Sequence, residues 1–253
     1  EPEVKDGDTV LVNGVDYELT YADNTNAGTA TVTVTGLGNY SGAQDTTFTI
    51  NKAAFTVTPD ADQSKTYGDV DPALTYTLAG AMDGETPAFT GTLAHAEGET
   101  VGTYPIAQGN LAMEDNGAFL AANYTLVFAD GVTFAITAKD ASALTIAAIA
   151  PVIYNGTAHT PEPEVRDGDA LLLKGIDYTL AYATNTNAGI ATVTVTGMGN
   201  YSSTQSTNFT INKATAAITF ANLTHVYDGT AKAATVTTEP AGLAVKLTYN
   251  GSE

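Results

Sequence analysis

Thr and Val alternate over Ala30-Thr31-Val32-Thr33-Val34-Thr35 and again over Ala191-Thr192-Val193-Thr194-Val195-Thr196. A period of two puts Val on one face and Thr on the other, so both segments are predicted to be half-buried β-strands. Asp16-Tyr17-Glu18-Leu19-Thr20-Tyr21 and Asp177-Tyr178-Thr179-Leu180-Ala181-Tyr182 repeat the pattern, with Tyr, Leu and Tyr facing inward. Between the strands stand Asp-Gly-Asp, Asn-Ala-Gly and Gly-x-Gly-Asn-Tyr, turn chemistry that tolerates positive φ. Short strands separated by turns roughly every eight to twelve residues predict an all-β chain built of antiparallel sandwiches. Ala118-Phe119-Leu120-Ala121-Ala122 is the one stretch patterned for a helical turn.

The chain also repeats itself. Glu1–Ala53 aligns without a gap on Glu162–Ala214, with 38 of 53 positions identical. The offset of 161 residues is too long for a solenoid unit or for one small sandwich, so an unlike module must lie between the copies. Three similar endings mark the boundaries: Phe48-Thr49-Ile50-Asn51-Lys52, Phe134-Ala135-Ile136-Thr137-Ala138-Lys139 and Phe209-Thr210-Ile211-Asn212-Lys213. Each is followed by a fresh apolar alternation and then a Tyr-led turn: Tyr67-Gly68-Asp69, Tyr154-Asn155-Gly156 and Tyr227-Asp228-Gly229. Asn-Gly and Asp-Gly favour two-residue hairpins, so a first strand is predicted to end at each turn.

Four modules follow from this punctuation. Residues 1–52 form a partial immunoglobulin-like module without its front strands, 53–139 a whole β module, 140–213 a complete immunoglobulin-like module, and 214–253 the front of a fourth. Tandem sandwiches joined end to end predict an extended rod. The missing front of the first module leaves a strand edge without a neighbour. With Glu1 in place of an initiating Met, the chain reads as a section of a longer polypeptide.

Charge narrows the partners. Asp and Glu number 28 against 9 Lys and Arg, a net charge of -19 at pH 7, which excludes nucleic acid and argues against an anionic membrane surface. No apolar run reaches the ~18 residues of a membrane-spanning helix, so no membrane insertion is expected in this segment. Cys is absent, which removes disulfides, thiolate metal sites and thiol catalysis. Only 15 % of residues are charged, and Thr, about one residue in six, supplies much of the polar surface.

The chemistry-bearing residues are few. The three His, at 95, 159 and 225, stand in separate modules with no nucleophile-elbow serine beside them, so neither a hydrolytic triad nor a zinc site is expected. Paired carboxylates two residues apart are the stronger candidates. Asp60 with Asp62 and Asp69 with Asp71 offer hard oxygen ligands for Ca²⁺, the first pair favoured because it falls near a module junction, although Asp-Gly-Asp elsewhere is also plain turn chemistry. Lys52 and Lys213 recur at equivalent module ends, where a linker lysine is a simpler reading than a Lys–Asn or Lys–Asp crosslink. The loop between Ala79 and Glu99 has no duplicate in the chain, and is the place to seek a ligand site.

The residues Tyr154-Asn155-Gly156-Thr157-Ala158, Asp167-Gly168-Asp169, Gly175-Ile176-Asp177-Tyr178, Asn187-Ala188-Gly189, Gly197-Met198-Gly199-Asn200-Tyr201 and Phe209-Thr210-Ile211 resemble the immunoglobulin-like repeat of bacterial surface proteins. The intervening module is similar to the MBG-type repeat, YGX variety, of bacterial adhesins. It carries Thr66-Tyr67-Gly68, Asp71-Pro72-Ala73-Leu74, Gly98-Glu99-Thr100-Val101-Gly102-Thr103-Tyr104-Pro105-Ile106, Asn123-Tyr124-Thr125-Leu126 and Phe134-Ala135-Ile136. Tyr227-Asp228-Gly229-Thr230-Ala231-Lys232 with Pro240-Ala241-Gly242-Leu243 resembles the opening of another MBG unit. The resemblance implies non-enzymatic stalk modules, extracellular or on the bacterial surface, that touch their neighbours in the chain and project a distal binding domain. The alternative it leaves open is a module that itself binds a host or matrix glycan or protein. It carries over no catalytic residue and no cofactor.

Overall fold

The alternating segments fold as their period dictates. The computed structural model describes residues 3–249, so Glu1 and Pro2 of the opening module and residues 250–253 of the closing one lie outside the described residues. Strands and turns make up nearly all of it. Two 3-10 turns interrupt them, Ala121–Asn123 within reach of the stretch patterned for it, and Ala141–Ala143, which the pattern does not announce. The second is set by Asp140, whose carboxylate accepts a 2.8 Å hydrogen bond from the Ser142 amide. The chain divides into two compact units, Glu1–Ala138 and Lys139–Glu253.

In the first unit the opening strands are β1 (Lys5–Asp6), β2 (Thr9–Val10), β3 (Tyr17–Ala22), β4 (Gly28–Gly36) and β5 (Ala43–Ile50). β1 pairs with β2, and β3-β4-β5 form an antiparallel sheet with Leu19 opposite Val34 and Ala30 opposite Phe48. Ala30 and Val32 are buried while the threonines between them are wet or half-buried, as period two requires.

The middle module adds β6 (Ala53–Pro59), β7 (Ser64–Thr66), β8 (Tyr76–Ala79), β9 (Ala88–Thr90), β10 (Ala94–His95), β11 (Gly102–Ala107), β12 (Ala112–Glu114), β13 (Tyr124–Phe128) and β14 (Thr133–Thr137). They form sheets ordered β10-β11-β14-β7 and β13-β6-β8, with β9 and β12 as a separate pair. Phe55 and Val57 on β6 point into two neighbouring cores. Val57 joins Leu93, Ile106, Leu111, Phe134 and Ile136, and Phe55 joins Phe119 and Tyr124.

The second unit is built from β15 (Lys139–Asp140), β16 (Thr145–Ile146), β17 (Val152–Ile153), β18 (Val165–Asp167), β19 (Ala170–Leu171), β20 (Tyr178–Ala183), β21 (Gly189–Gly197), β22 (Tyr201–Ser202), β23 (Thr204–Asn212), β24 (Ala217–Ala221) and β25 (Thr235–Glu239). The sheets β17-β23-β21-β20 and β16-β18-β19 combine strands of the second copy of the repeat with β16 and β17 from the residues before it, and Ala191, Val193, Phe209 and Ile211 form the core. β24 and β25 pair antiparallel after it.

The pairing departs from the sequence expectation in one respect. The sheets are not purely antiparallel: β6 runs parallel to β13, β7 to β14, β15 to β22 and β17 to β23. The strand that opens a module therefore lies beside, and runs the same way as, a strand near its close. For the same reason Tyr154-Asn155-Gly156 is not the tip of a hairpin. β17 finds its neighbour in β23, some 60 residues later, and the turn is closed locally, with the Asn155 carboxamide accepting 2.9 Å bonds from the amide and hydroxyl of Thr157. Asp228 holds Thr230 in the same way.

Candidate functional site

The nine cations of this acidic chain have many carboxylates to choose from, and one of them is buried. Lys65 sits on β7 with its side chain 4 % exposed, and its ammonium lies 2.6 Å from Asp71 Oδ1 and 2.5 Å from Glu99 Oε2. Asp71 Oδ2 is in turn 3.2 Å from His95 Nε2. The imidazole of His95 stacks on Phe134, with centroids 4.7 Å apart and planes 5° from parallel, while Nδ1 meets the Ala96 carbonyl at 2.7 Å. Four residues spread over 35 positions thus converge within the middle module.

The topology explains the convergence. β7 and β10 are the two outer strands of the sheet that β11 and β14 fill, and the loops after β7 and β10 bring Asp71 and Glu99 over the Lys65 ammonium. Behind Glu99, Tyr104 donates to the Thr100 carbonyl at 2.7 Å and its ring lies against Gly98. Gly98 has φ +150, and an added Cβ would meet the Tyr104 ring at 2.0 Å, so glycine is required there.

The charges in the cluster reinforce each other. The hydrogen bond from Lys65 holds the Asp71 carboxyl below the usual aspartate range, and the bonds to Asp71 and then Glu99 raise the Lys65 ammonium above its ordinary value. Condensation to an amide needs a neutral amine and a protonated acid, and both shifts run the other way. The arrangement is an ion-pair network that ties a buried lysine on an outer strand to two loops.

Its contribution to stability has a definite pH window. The Asp71 part is present above the ordinary aspartate value of 3.8 and is lost as pH falls through its depressed value. The Lys65 part is present below the ordinary lysine value of 10.5 and is lost as pH rises through its raised value. Lys65→Met is therefore expected to lower the melting temperature of the first unit by about 5 °C near neutrality. The difference from the unaltered chain should shrink below pH 3.8 and above 10.5. Thermal melts followed by circular dichroism across pH check this, and a difference independent of pH would sink the ion-pair account.

The four aspartates singled out from the sequence do not gather. Asp60 and Asp62 shape the turn between β6 and β7: Asp62 takes φ +60, and the Gln63 carboxamide donates to the carbonyls of Asp60 and Thr75 at 2.9 and 3.0 Å. Asp69 is exposed, its amide closing a turn on the Thr66 carbonyl at 3.0 Å. Asp71 is engaged by Lys65, so the cation it meets is the protein's own. Among the described residues no three His, Asp or Glu side chains are grouped to hold a metal ion. Lys65 and His95 carry the cluster without having stood out in the sequence. The available signal was a lysine in an extended run six residues before Asp71.

The other paired acids also serve the fold. Asp167 takes Lys139 at 2.5 Å and the Tyr201 hydroxyl at 3.3 Å, and in the first copy Tyr40 reaches Asp6 at 3.4 Å. His159 exchanges backbone and side-chain bonds of 2.8 Å with Asn185, and His225 is exposed. In the loop between Ala79 and Glu99, Tyr124 bonds to Glu85 and to the Met82 amide, and Asn116 holds the Thr86 carbonyl at 3.0 Å. Within the first unit, Asn123 joins the repeat copy to the middle module: its Oδ1 accepts from the Ala27 amide at 2.8 Å and its Nδ2 donates to Asn26 at 3.0 Å.

No curated protein matches the chain. Residues 55–135 match the family model of the MBG domain (YGX type), which spans the middle module from β6 to β14, and the ion-pair cluster lies inside that match. Residues 216–253 match a second model, described as MBG domain. Both repeat copies lie outside the two matches. The chain therefore carries two MBG-type segments, separated by the second copy of its own repeat.

Proposed function

We propose that these modules are spacers of a bacterial surface protein, outside the cell, holding a distal binding domain away from the envelope. MBG domains occur in surface adhesin-like repeat proteins, and the two MBG matches support that setting. The observation that carries the spacer reading is the parallel pairing of opening and closing strands. In the second unit Lys139 pairs opposite Tyr201, just ahead of β23, and the chain leaves that strand at its far end, after Asn212. Nine residues of strand separate the two points by about 27 Å. In the middle module β6 sets out at Ala53 and β14 finishes at Thr137 level with Thr66, so the chain again leaves at the end it was heading for.

A module with its termini at opposite ends adds length each time it is repeated, which a spacer needs and a binding or catalytic domain does not. The hydrogen bonds that pin the loop after Ala79 favour this reading over a ligand site there. Among the described residues no helix is long and apolar enough to cross a membrane. Solution scattering tests the proposal. A compact particle of this length has a radius of gyration of about 18 Å, and the spacer role requires a value approaching twice that. A measured value near that of the compact particle would overturn it.

A further inference from the structure

The two copies of the repeat keep the same inward face and differ on the outward one. In β20, β21 and β23 every position at which the second copy departs from the first points away from the core. Thr179 and Ser206 stand where the first copy has Glu18 and Asp45, and Ile190 stands where it has Thr29. The result is a sheet face without charge. β17, β20, β21 and β23 hold no acidic or basic residue, in a chain whose net charge is -19.

The polar groups of this face are already partnered with one another. Thr192 donates to the Asn208 carboxamide oxygen across the strands at 3.0 Å, and the hydroxyls of Thr194 and Ser206 are bonded at the same distance. Covering such groups leaves their hydrogen bonds intact, so the usual penalty for burying a polar side chain is small here. At one end of the face the apolar content rises. Ile190 on β21 and Ile153 on β17 flank β23, 68 % and 65 % exposed, with the segments before and after the copy in place.

We infer that this face is a contact surface for a second copy of the same chain, the two packed sheet against sheet with their strands running the same way. Charge selects the partner. Two chains this acidic repel wherever their carboxylates meet, and the uncharged face lets identical surfaces approach without that cost. A two-fold axis along the strands brings the isoleucine ends of both copies together, whereas an axis across them would set each isoleucine end against the other copy's threonines. Size sets the strength. Strands of six to nine residues, about 4.8 Å apart, give a contact of roughly 1,000 Å² for the pair, at the low end of specific interfaces.

The test is sedimentation equilibrium of the whole chain up to about 1 mM. A reversible dimer with a dissociation constant on the order of 10–100 μM is expected, tighter at high salt than at low because salt screens the acidic surfaces around the face. The chain carrying Thr179→Glu, Ile190→Thr and Ser206→Asp takes on residues that the first copy already folds with, and should dimerise at least about tenfold more weakly with an unchanged melting curve. The chain has no cysteine, so Thr194→Cys offers a single thiol at the middle of the face. A bis-maleimide that spans the about 10 Å between packed sheets should link it into dimers, and should not do so for Thr33→Cys, the matching position in the first copy. If the triple variant melts early, the two cysteine variants, which leave the face intact, decide the matter. A chain still monomeric at about 1 mM, a folded triple variant with an unaltered dissociation constant, or equal linking of the two cysteines would each overturn the inference.

Discussion

Phe209→Ala is expected to destabilise the second unit by about 3–5 kcal/mol, whereas Phe48→Ala, the same change at the matching position of the first copy, should cost about 1 kcal/mol or less. Both side chains stand on the third strand of a Thr-Val sheet, Phe209 opposite Ala191 and Phe48 opposite Ala30. What differs is the cavity each would leave. Truncating Phe209 leaves a gap in a buried core of Ala191, Val193 and Ile211 on which Ile149, Val152, Leu180 and Tyr182 pack, and the transfer and cavity terms add. Truncating Phe48 removes a ring that solvent already reaches, with edge-on contact to Tyr21 as the main loss. Urea unfolding of each variant, followed by tyrosine fluorescence and circular dichroism, reads the two costs. Equal losses would mean that both phenylalanines are equally enclosed in solution, and the contrast between the copies would fall with that result.

The second large effect is expected at Phe55. Its ring is fully buried, 5.7 Å from each of Phe89, Phe119 and Tyr124, two of these contacts being edge-on. Phe55→Ala should cost the first unit about 3–5 kcal/mol, because three aromatic neighbours lose a shared partner and cannot close the gap without moving β13. Phe55→Leu, which keeps most of the volume, should cost about half as much or less. The loss should also be visible at a distance. Leu126 on β13 pairs with Phe55 on β6, and Tyr124 in the same cluster bonds to Glu85 and Met82, so the loop after Ala79 should gain hydrogen exchange in the alanine variant. A variant that loses stability with that loop unchanged would show that the cluster and the loop are independent.

The sequence made the strands legible wherever one face is buried and the other is wet. Ala30, Val32, Ala191, Val193 and Val195 lie inside as their period requires, and Tyr17 and Tyr178 with them. Tyr21 is expected inside as well and is exposed: its parity is right, but Tyr182, its match in the second copy, is partly covered by residues that precede that copy, such as Pro161, and among the described residues none lies over Tyr21 in the same way. The parallel pairs were not legible at all. Periodicity reports which face a strand buries and carries no information on which strand lies beside it, and β15 and β17 are only two residues long. The ion-pair cluster was hidden for a similar reason. Asp71 stands out through its spacing from Asp69, a local property, whereas Lys65 and His95 meet it, and Glu99 meets Lys65, only once β7 and β10 take the two edges of one sheet.

The parallel strands also decide how a module responds to being pulled. Tension applied at Ala53 and Thr137, or at Lys139 and Asn212, acts along β6 against β13, β7 against β14 and β17 against β23. Neighbouring strands that point the same way must slide past each other to separate, so the bonds of each ladder bear the load together. An antiparallel pair pulled at its open end gives them up one at a time. The lifetime of a module under load is then set by the rate of that sliding step, which equilibrium stability alone does not give.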